Sequence, residues 1–400
     1  MNIGIDIRPL QAETKHRGIG KALSRTLRPL LKFGSASGDK FTFFYDPLLA
    51  MPEIATDAYI KYLPVRTPNI NKKKYIRILL RPMKKINIKS GVVDVLLQFD
   101  FGLGILKNIP TVTMFHDMIP VLFRQADVDR QNAKKTIRRI KGKLGDGLNW
   151  QRYLSDLRKY NNAASILAIS ENSRNDLLSY DKKIDPSKIK VALLGIDSVL
   201  DAKKRNIENE IVKKIINTKY LLYVGGIDTR KNVIQLVREF HELKPNYPSL
   251  KLVVVGKEFE LFNNLENLGW HKEIDKIPEY KKDIILPGYV SDFDLQLLYC
   301  HAQAFIFPSL YEGFGMPLLE AMALGCPCIA YSNSSITEIA GDAIVLVESG
   351  KSMAQEIKTI LDSESIRRDL IRKGVLQYKK FPWENTARII LDEIHSISKK

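Results

Sequence analysis

Two carboxylates, Glu312 and Glu320, stand eight positions apart in the string Phe307-Pro308-Ser309-Leu310-Tyr311-Glu312-Gly313-Phe314-Gly315-Met316-Pro317-Leu318-Leu319-Glu320-Ala321. A carboxylate accepts several hydrogen bonds at once, which suits the hydroxyls of a polyol. Gly313 and Gly315 let the backbone approach a ligand closely, and Pro317 fits the first turn of a helix. The string therefore reads as a strand end, a tight loop and a helix start. Free amides at such a start bind an anion or sugar hydroxyls. Glu312 falls in the loop and Glu320 in the first helical turn, where the helix dipole alone also favours an acid.

A second constellation is Tyr223-Val224-Gly225-Gly226-Ile227-Asp228-Thr229-Arg230-Lys231-Asn232. A glycine pair beside two cations suits a diphosphate, through close backbone approach and charge-assisted hydrogen bonds. The spacing is not that of a Walker loop. The plain alternative is a solvated helix start that happens to carry two cations. Against it, cations at a helix N-terminus oppose the dipole. In the first half, Thr113-Met114-Phe115-His116-Asp117-Met118-Ile119-Pro120 places His116 and Asp117 just past a buried apolar run. A lone histidine is more often structural, and its place at a strand end shifts the balance towards a ligand contact. Arg17-Gly18-Ile19-Gly20 offers a further glycine loop, but the third glycine of a dinucleotide fingerprint is missing, since Leu23 and Ser24 occupy that area.

The segment around Glu312 and Glu320 resembles, nearly letter for letter, the Glu-x7-Glu signature of family 4 retaining glycosyltransferases of the GT-B fold. The resemblance is strong over Lys190–Ala343 and more diffuse in the first half. It implies that Glu320 binds the ribose hydroxyls of a nucleotide sugar and that Glu312 lies beside the transferred sugar. Gly313, Pro317 and the amides of Phe314, Gly315 and Met316 would contact sugar and phosphates. Arg230 and Lys231, with Gly225 and Gly226, would hold the diphosphate. Gly18 and Gly20 would lie near donor and acceptor, and His116 would touch the donor sugar or its phosphate. Tyr289 and Val290, in Leu286-Pro287-Gly288-Tyr289-Val290-Ser291, would border the base through mainly backbone contacts. Many relatives carry another arginine after the glycine pair. Here Gly226 or Ile227 holds that place, which leaves the charge on Arg230 and Lys231.

The elements that must position these residues are legible as apolar runs. Candidate strands are Asn2–Ile7, Phe41–Tyr45, Val92–Gln98, Thr111–Phe115, Ser165–Ser170 and Lys190–Leu194, then Tyr220–Val224, Leu250–Val255, Asp283–Leu286, Gln303–Phe307, Cys326–Ala330 and Ala343–Leu346. They are nearly continuous in Val, Ile, Leu and Phe, as parallel strands buried on both faces are. Helical stretches lie between most of them, which argues for βαβ units and an α/β class with two Rossmann-like, doubly wound parallel sheets. A length of 400 residues suits two domains. The expected division is 1–198 for the acceptor and 199–378 for the nucleotide sugar, with the helical tail 379–400 packing in either domain and, as in relatives, crossing back to the first. Ligands bind outside the carboxyl ends of parallel strands, so the expected pocket is a cleft between the domains.

Lysine and arginine exceed aspartate and glutamate by 62 to 45, a net charge of +17. Such a balance favours anionic partners. Much of it sits in 71–89, where Lys72, Lys73, Lys74, Arg77, Arg81, Lys84 and Lys85 share a helical pattern with Ile76, Leu79, Leu80 and Met83. This is either a core-packing helix with a solvated basic face or a surface for an anionic membrane. A second cluster, Lys134, Lys135, Arg138, Arg139, Lys141 and Lys143, favours the membrane. No apolar run approaches the roughly 20 residues of a membrane span, and the first residues lack the pattern of a signal peptide. The expected location is the cytoplasm, peripheral on the inner face of the plasma membrane. Cys326-Pro327-Cys328 has the wrong spacing for zinc or redox pairs and reads as core.

The resulting expectation is a retaining hexosyltransferase. It takes a GDP- or UDP-linked sugar, with GDP-mannose the best match, to a glycan or lipid-linked acceptor in cell-surface polysaccharide synthesis. No cofactor is expected. No metal is expected either, because the cations can neutralise the leaving diphosphate and no Asp-x-Asp motif stands at a strand end. Two competing readings are a nucleotide-sugar epimerase of related architecture and a basic nucleic-acid-binding protein. The second lacks the basic and aromatic interleaving of stacking platforms, so nucleic acid is not an expected partner.

Overall fold

The strands form where Val, Ile, Leu and Phe crowd together, and both sheets are parallel throughout. The computed structural model describes residues 1–11, 18–54, 60–65, 88–100, 105–106, 108–123, 153–197, 207, 209–257, 259 and 282–398. Its contacts divide the chain into two compact units. One is Met1–Gly195 with Pro382–Lys400, and the other is Ile196–Phe381.

The first unit is built on β1 (Asn2–Asp6), β2 (Lys40–Tyr45), β3 (Ile60–Pro64), β4 (Val95–Gln98), β5 (Thr111–Phe115), β6 (Ser165–Ala168) and β7 (Ile189–Val191). They lie in the order β3-β2-β1-β4-β5-β6-β7. Ile3 sits opposite Phe41 on one side and Val95 on the other, and all three side chains are buried. The amphipathic helix α1 (Gly18–Ala36) follows β1, its inner face made by Ala22, Leu23, Leu27, Leu30 and Leu31. A shorter helix, α2 (Glu171–Tyr180), starts at Ser170, whose hydroxyl accepts from the Ser173 amide. Strand β3 is absent from the sequence-predicted strands. It lies on the sheet edge with a mostly exposed pattern, so its apolar signal is weak.

The second unit holds β8 (Tyr220–Val224), β9 (Lys251–Val255), β10 (Ile284–Gly288), β11 (Ala304–Phe307), β12 (Cys328–Tyr331) and β13 (Val345–Val347), in the order β10-β9-β8-β11-β12-β13. Helix α3 (Val233–Leu243) buries Val233, Leu236, Val237, Phe240 and Leu243, the spacing of one helical face. They pack on Leu221, Tyr223, Leu252, Val254 and Ile306. Helices α4 (Asp292–His301), α5 (Met316–Ala323) and α6 (Glu364–Tyr378) are among the others of this unit. Cys326 and Cys328 are buried and Cys300 is exposed. The strand order changes direction between β8 and β11, and the loops after those two strands carry the charged residues singled out above. Ligands of open parallel sheets bind at such a point.

The C-terminal helix, Trp383–Ser398, belongs to the first unit and packs on α1. Its buried face is Trp383, Ala387, Ile390, Leu391 and Ile394. A Cβ on Gly195 would meet the Trp383 backbone nitrogen at 2.5 Å, so only glycine permits this approach. Thr386 donates to the Leu193 carbonyl at 2.6 Å, and His395 Nε2 lies 2.8 Å from Asp39 Oδ2. Among the described residues, no helix is long and apolar enough to cross a membrane.

Candidate active site

Strand β8 ends at Val224, and the chain turns through Gly225 and Gly226 into a single 3-10 turn, Thr229–Lys231. Gly225 donates to the Val255 carbonyl at 3.0 Å, and the Tyr223 hydroxyl donates to the Gly226 carbonyl at 2.7 Å. The missing side chain of Gly256 makes room, since a Cβ there would stand 2.2 Å from the Gly225 oxygen. Asn232 then takes a left-handed conformation, φ 52 and ψ 34, and opens α3. Asparagine is among the few residues that tolerate it.

The loop after β11 lies against this turn, with Leu310 donating to the Arg230 carbonyl at 2.8 Å. Arg230 Nη1 donates to the Tyr311 carbonyl at 2.8 Å and lies 2.9 Å from Glu312 Oε1. Lys231 Nζ donates to the same Oε1 at 2.7 Å. Arg230 Nε is 3.2 Å from Asp228 Oδ1. The three side chains of the Arg230–Lys231–Glu312 cluster are each only about one-tenth exposed, at 10%, 11% and 10%. Burial pushes the Glu312 carboxyl upward, but the charges of Lys231 and Arg230 outweigh it and hold the group below its ordinary value.

A third loop, after β12, fixes the backbone that carries Glu312. The Ser334 hydroxyl accepts from the Glu312 amide at 2.9 Å, and Asn333 Nδ2 donates to the Ser309 carbonyl at 3.0 Å. The Ser335 hydroxyl, fully buried, donates to the carbonyls of Glu312 at 2.9 Å and Phe314 at 2.8 Å. Ser334 is held at φ 43. None of these three residues was singled out in the sequence, although they follow a strand end as the others do.

Gly315 adopts φ 111 and ψ 40 as the residue before α5, with Pro317 in the first turn. Among the described residues, no acceptor is bonded to the amides of Phe314, Gly315 or Met316. They form a cradle at the helix start, one loop away from the cations. The first turn of α5 holds no acid. Glu320 is its fifth residue and stands half-buried in the second turn, which corrects the expected first-turn position: the helix already begins at Met316, directly after the left-handed Gly315 and ahead of Pro317. Its position is thus not explained by a capping role. Burial, and then the neighbouring Glu320 carboxylate, push the Tyr299 phenol on α4 well above its ordinary value. After β10, Tyr289 is 65% exposed and Val290 is buried.

In the first unit, His116 follows β5 directly. Its Nε2 lies 2.8 Å from the Phe99 carbonyl. A carbonyl only accepts, so Nε2 carries the proton and neutral His116 presents Nδ1 as an acceptor. Burial lowers its pKa below the ordinary value of 6.5, against a smaller upward pull from Phe99. Asp117 Oδ1 accepts from the Ile119 amide at 2.9 Å, which gives that carboxylate a turn to cap. The sequence places Gly18 and Gly20 in a loop, whereas the structure makes them the first and third residues of α1. The amphipathic run through Ala22, Leu23 and Leu27 carries the helix back to Gly18. The basic residues Lys72, Lys73, Lys74, Arg77, Arg81, Lys84 and Lys85 lie outside the described residues, as does the cluster from Lys134 to Lys143. Among the described residues, no group of three or more His, Cys, Asp or Glu could hold a metal ion.

The structure thus brings Arg230, Lys231, Glu312, the amides of 314–316 and Glu320 together in one unit, and places His116, Gly18 and Gly20 in the other. Two Rossmann-like parallel-sheet units, the second with a cation pair and an amide cradle at its switch point, define the class: a GT-B fold. Residues 204–376 match the family model of glycosyl transferases group 1, so the second unit carries a domain of that family. Over 425 aligned residues the chain is 24% identical to the serotype-specific mannosyltransferase WbdA of Escherichia coli, covering 98% of this chain and 48% of that protein. It is 32% identical over 176 residues to the O-antigen chain mannosyltransferase B of Escherichia coli, covering 42% of this chain and 43% of that one. The chain thus spans about half the length or less of these curated relatives. A solved structure of Anabaena Alr3699/HepE, in complex with UDP and glucose, aligns over 99% of this chain and 100% of its own with a TM-score of 0.65 at 13% identity. That likeness establishes the fold.

Proposed function

We propose that this chain is a retaining hexosyltransferase that moves a sugar from a nucleotide sugar to a glycan or lipid-linked acceptor in cell-surface polysaccharide synthesis. The observation that carries the reading is the buried Arg230–Lys231–Glu312 cluster beside the amides of Phe314, Gly315 and Met316, in a unit that matches glycosyl transferases group 1. The names of the mannosyltransferase relatives support mannose, and with it GDP-mannose.

Arg230, Lys231 and the amide cradle neutralise the diphosphate as it leaves. Fixed donors aimed at the charge that develops in the transition state are the strongest means such a site has of speeding the reaction. Glu320 accepts from the ribose hydroxyls. Glu312 orients the sugar and balances its developing positive charge. His116, neutral and with Nδ1 as an acceptor, receives a sugar hydroxyl. The acceptor attacks on the face the nucleotide leaves, its proton passes to the departing phosphate, and the anomeric configuration is kept. Because the cations do the neutralising, the reaction proceeds without a metal: transfer survives a chelator, and restoration by magnesium after chelation would contradict this. The basic segment 71–89 attaches the protein to the anionic inner leaflet, which liposome flotation at low salt tests.

The deciding experiment is thermal stabilisation by GDP- and UDP-sugars, in the wild type and in Glu320→Ala and Lys231→Ala. A ligand at a hundredfold its Kd adds about 2.7 kcal/mol to the folded state. A shift with one nucleotide class, lost in both variants, is the expected result. No shift with any nucleotide sugar would end the reading, and conversion of the sugar without an acceptor would replace it with an epimerase.

A further inference from the structure

The Glu312 carboxylate uses one oxygen for two cations. Oε1 accepts from Lys231 Nζ at 2.7 Å and stands 2.9 Å from Arg230 Nη1. The guanidinium lies among three acceptor groups. Nη1 donates to Tyr311 O and stands 2.9 Å from Glu312 Oε1, Nε stands 3.2 Å from Asp228 Oδ1, and Nη2 donates to Asp228 Oδ2 at 3.5 Å. Its bond to the Tyr311 carbonyl ties it to the residue next to Glu312. Buried cations require a partner. An anion that reaches either cation therefore meets a carboxylate already paired with it.

We infer that Glu312 and the diphosphate of the nucleotide compete for Arg230 and Lys231, so that Glu312 limits how tightly the spent nucleotide is held. The inference rests on the proposed donor site and adds a product-release role to it. Its logic lies in the charge of the product. Transfer removes the sugar from the terminal phosphate, which then ionises with a second pKa of about 6. The leaving nucleotide is thus more negative than the donor that entered, and a site built only of cations and amides would bind product more tightly than substrate. A fixed carboxylate that returns to the same cations opposes this. It also keeps the two cations ordered between turnovers, since both are held within 3 Å of one oxygen.

Isothermal titration of the full chain with GDP, UDP and inorganic pyrophosphate, in wild type and Glu312→Gln, tests the competition. The glutamine is isosteric and neutral. The variant is expected to bind pyrophosphate and the cognate nucleoside diphosphate at least tenfold more tightly, the nucleoside monophosphate with a smaller gain, and the nucleoside unchanged. Dissociation of the diphosphate slows in proportion. Glu312→Asp, which keeps the charge but shortens the reach, falls between the two. It carries the test alone if the glutamine variant does not fold, with at least threefold tightening expected. Equal or weaker diphosphate binding in the folded variants overturns the inference. A residue that only touched the sugar would leave sugar-free diphosphate affinity unmoved, and one that only braced the cations would weaken it. If pyrophosphate tightens but neither nucleotide binds either protein, the competition stands and the donor reading falls. If the nucleotides bind wild type and variant alike, the reading stands and the competition falls. If nothing binds either protein, both fall.

Discussion

Ser335 spends its single hydroxyl hydrogen between two carbonyls, those of Glu312 and Phe314, in a position with no access to water. Ser335→Ala leaves these buried acceptors short of a donor, at a cost of about 1–3 kcal/mol. It also frees the loop that aims Glu312. The expected result is a lower melting temperature with a fall in kcat that adding donor does not restore. A fall in stability with unchanged kcat would reduce Ser335 to a structural role. Protonation adds a second residue-scale test. Glu312 has a native pKa held below its ordinary 4.5. Its contribution to stability is therefore fully present above pH 4.5 and is lost as pH falls through the depressed native value. His116 is also lowered, from 6.5. The unfolded chain then takes up the proton first, so stability falls as pH drops from 6.5 through the native value. Denaturant titrations across that window are expected to show less pH dependence in His116→Asn, whose amide can still donate to the Phe99 carbonyl. Most of these residues could be read from sequence because each follows a strand end and carries charge or glycine. Ser334 and Ser335 were not, since their work is done on backbone atoms, which leave no mark in residue type.

At the scale of elements, the buried strands announced themselves. Thr111–Phe115 and Tyr220–Val224 run between the same residues in sequence and structure, because every side chain in each is apolar or shielded on both faces. Edge strand β3 did not, for Ile60-Lys61-Tyr62-Leu63-Pro64 alternates and ends in proline. The helix after Glu312 was placed correctly by Pro317 but begun too late for Glu320, because the left-handed turn at Gly315, which lets the helix start at Met316, cannot be read from a glycine alone. That turn is testable. At φ 111 a side chain is strained, and a Cβ would meet Ile336 Cδ1 at 2.9 Å. Gly315→Ala is expected to cost about 1–3 kcal/mol and to shift the amides of 315 and 316. Nucleotide affinity should then fall more than in Gly18→Ala, where nothing stands within 4 Å of the new carbon. Equal effects at the two glycines would mean that the cradle does not hold phosphate.

On the scale of the molecule, the chain leaves its first unit at Gly195, builds the second, and returns at Pro382 to complete the first. The return is stabilised by burial of Ala387, Ile390, Leu391 and Ile394 against α1, by Thr386 on Leu193, and by His395 on Asp39, which also holds the amino group of Met1. The first unit is thus incomplete until residues 382–400 have been made, whereas residues 196–381 contain every atom of the Arg230–Lys231–Glu312 cluster. Removing residues 382–400 therefore separates the units by stability. Each of Ile390, Leu391 and Ile394 would cost about 2–5 kcal/mol if cut to alanine, so losing all of them leaves the first unit without enough burial to fold. The expected thermogram of the truncated chain has one cooperative transition, from the second unit, and that transition still rises with nucleotide. The full chain keeps both. Transfer is abolished in the truncated protein while nucleotide binding persists. A truncated chain that still unfolds in two transitions would show that α1 does not depend on the returning helix, and loss of nucleotide binding with it would show that the second unit depends on the first.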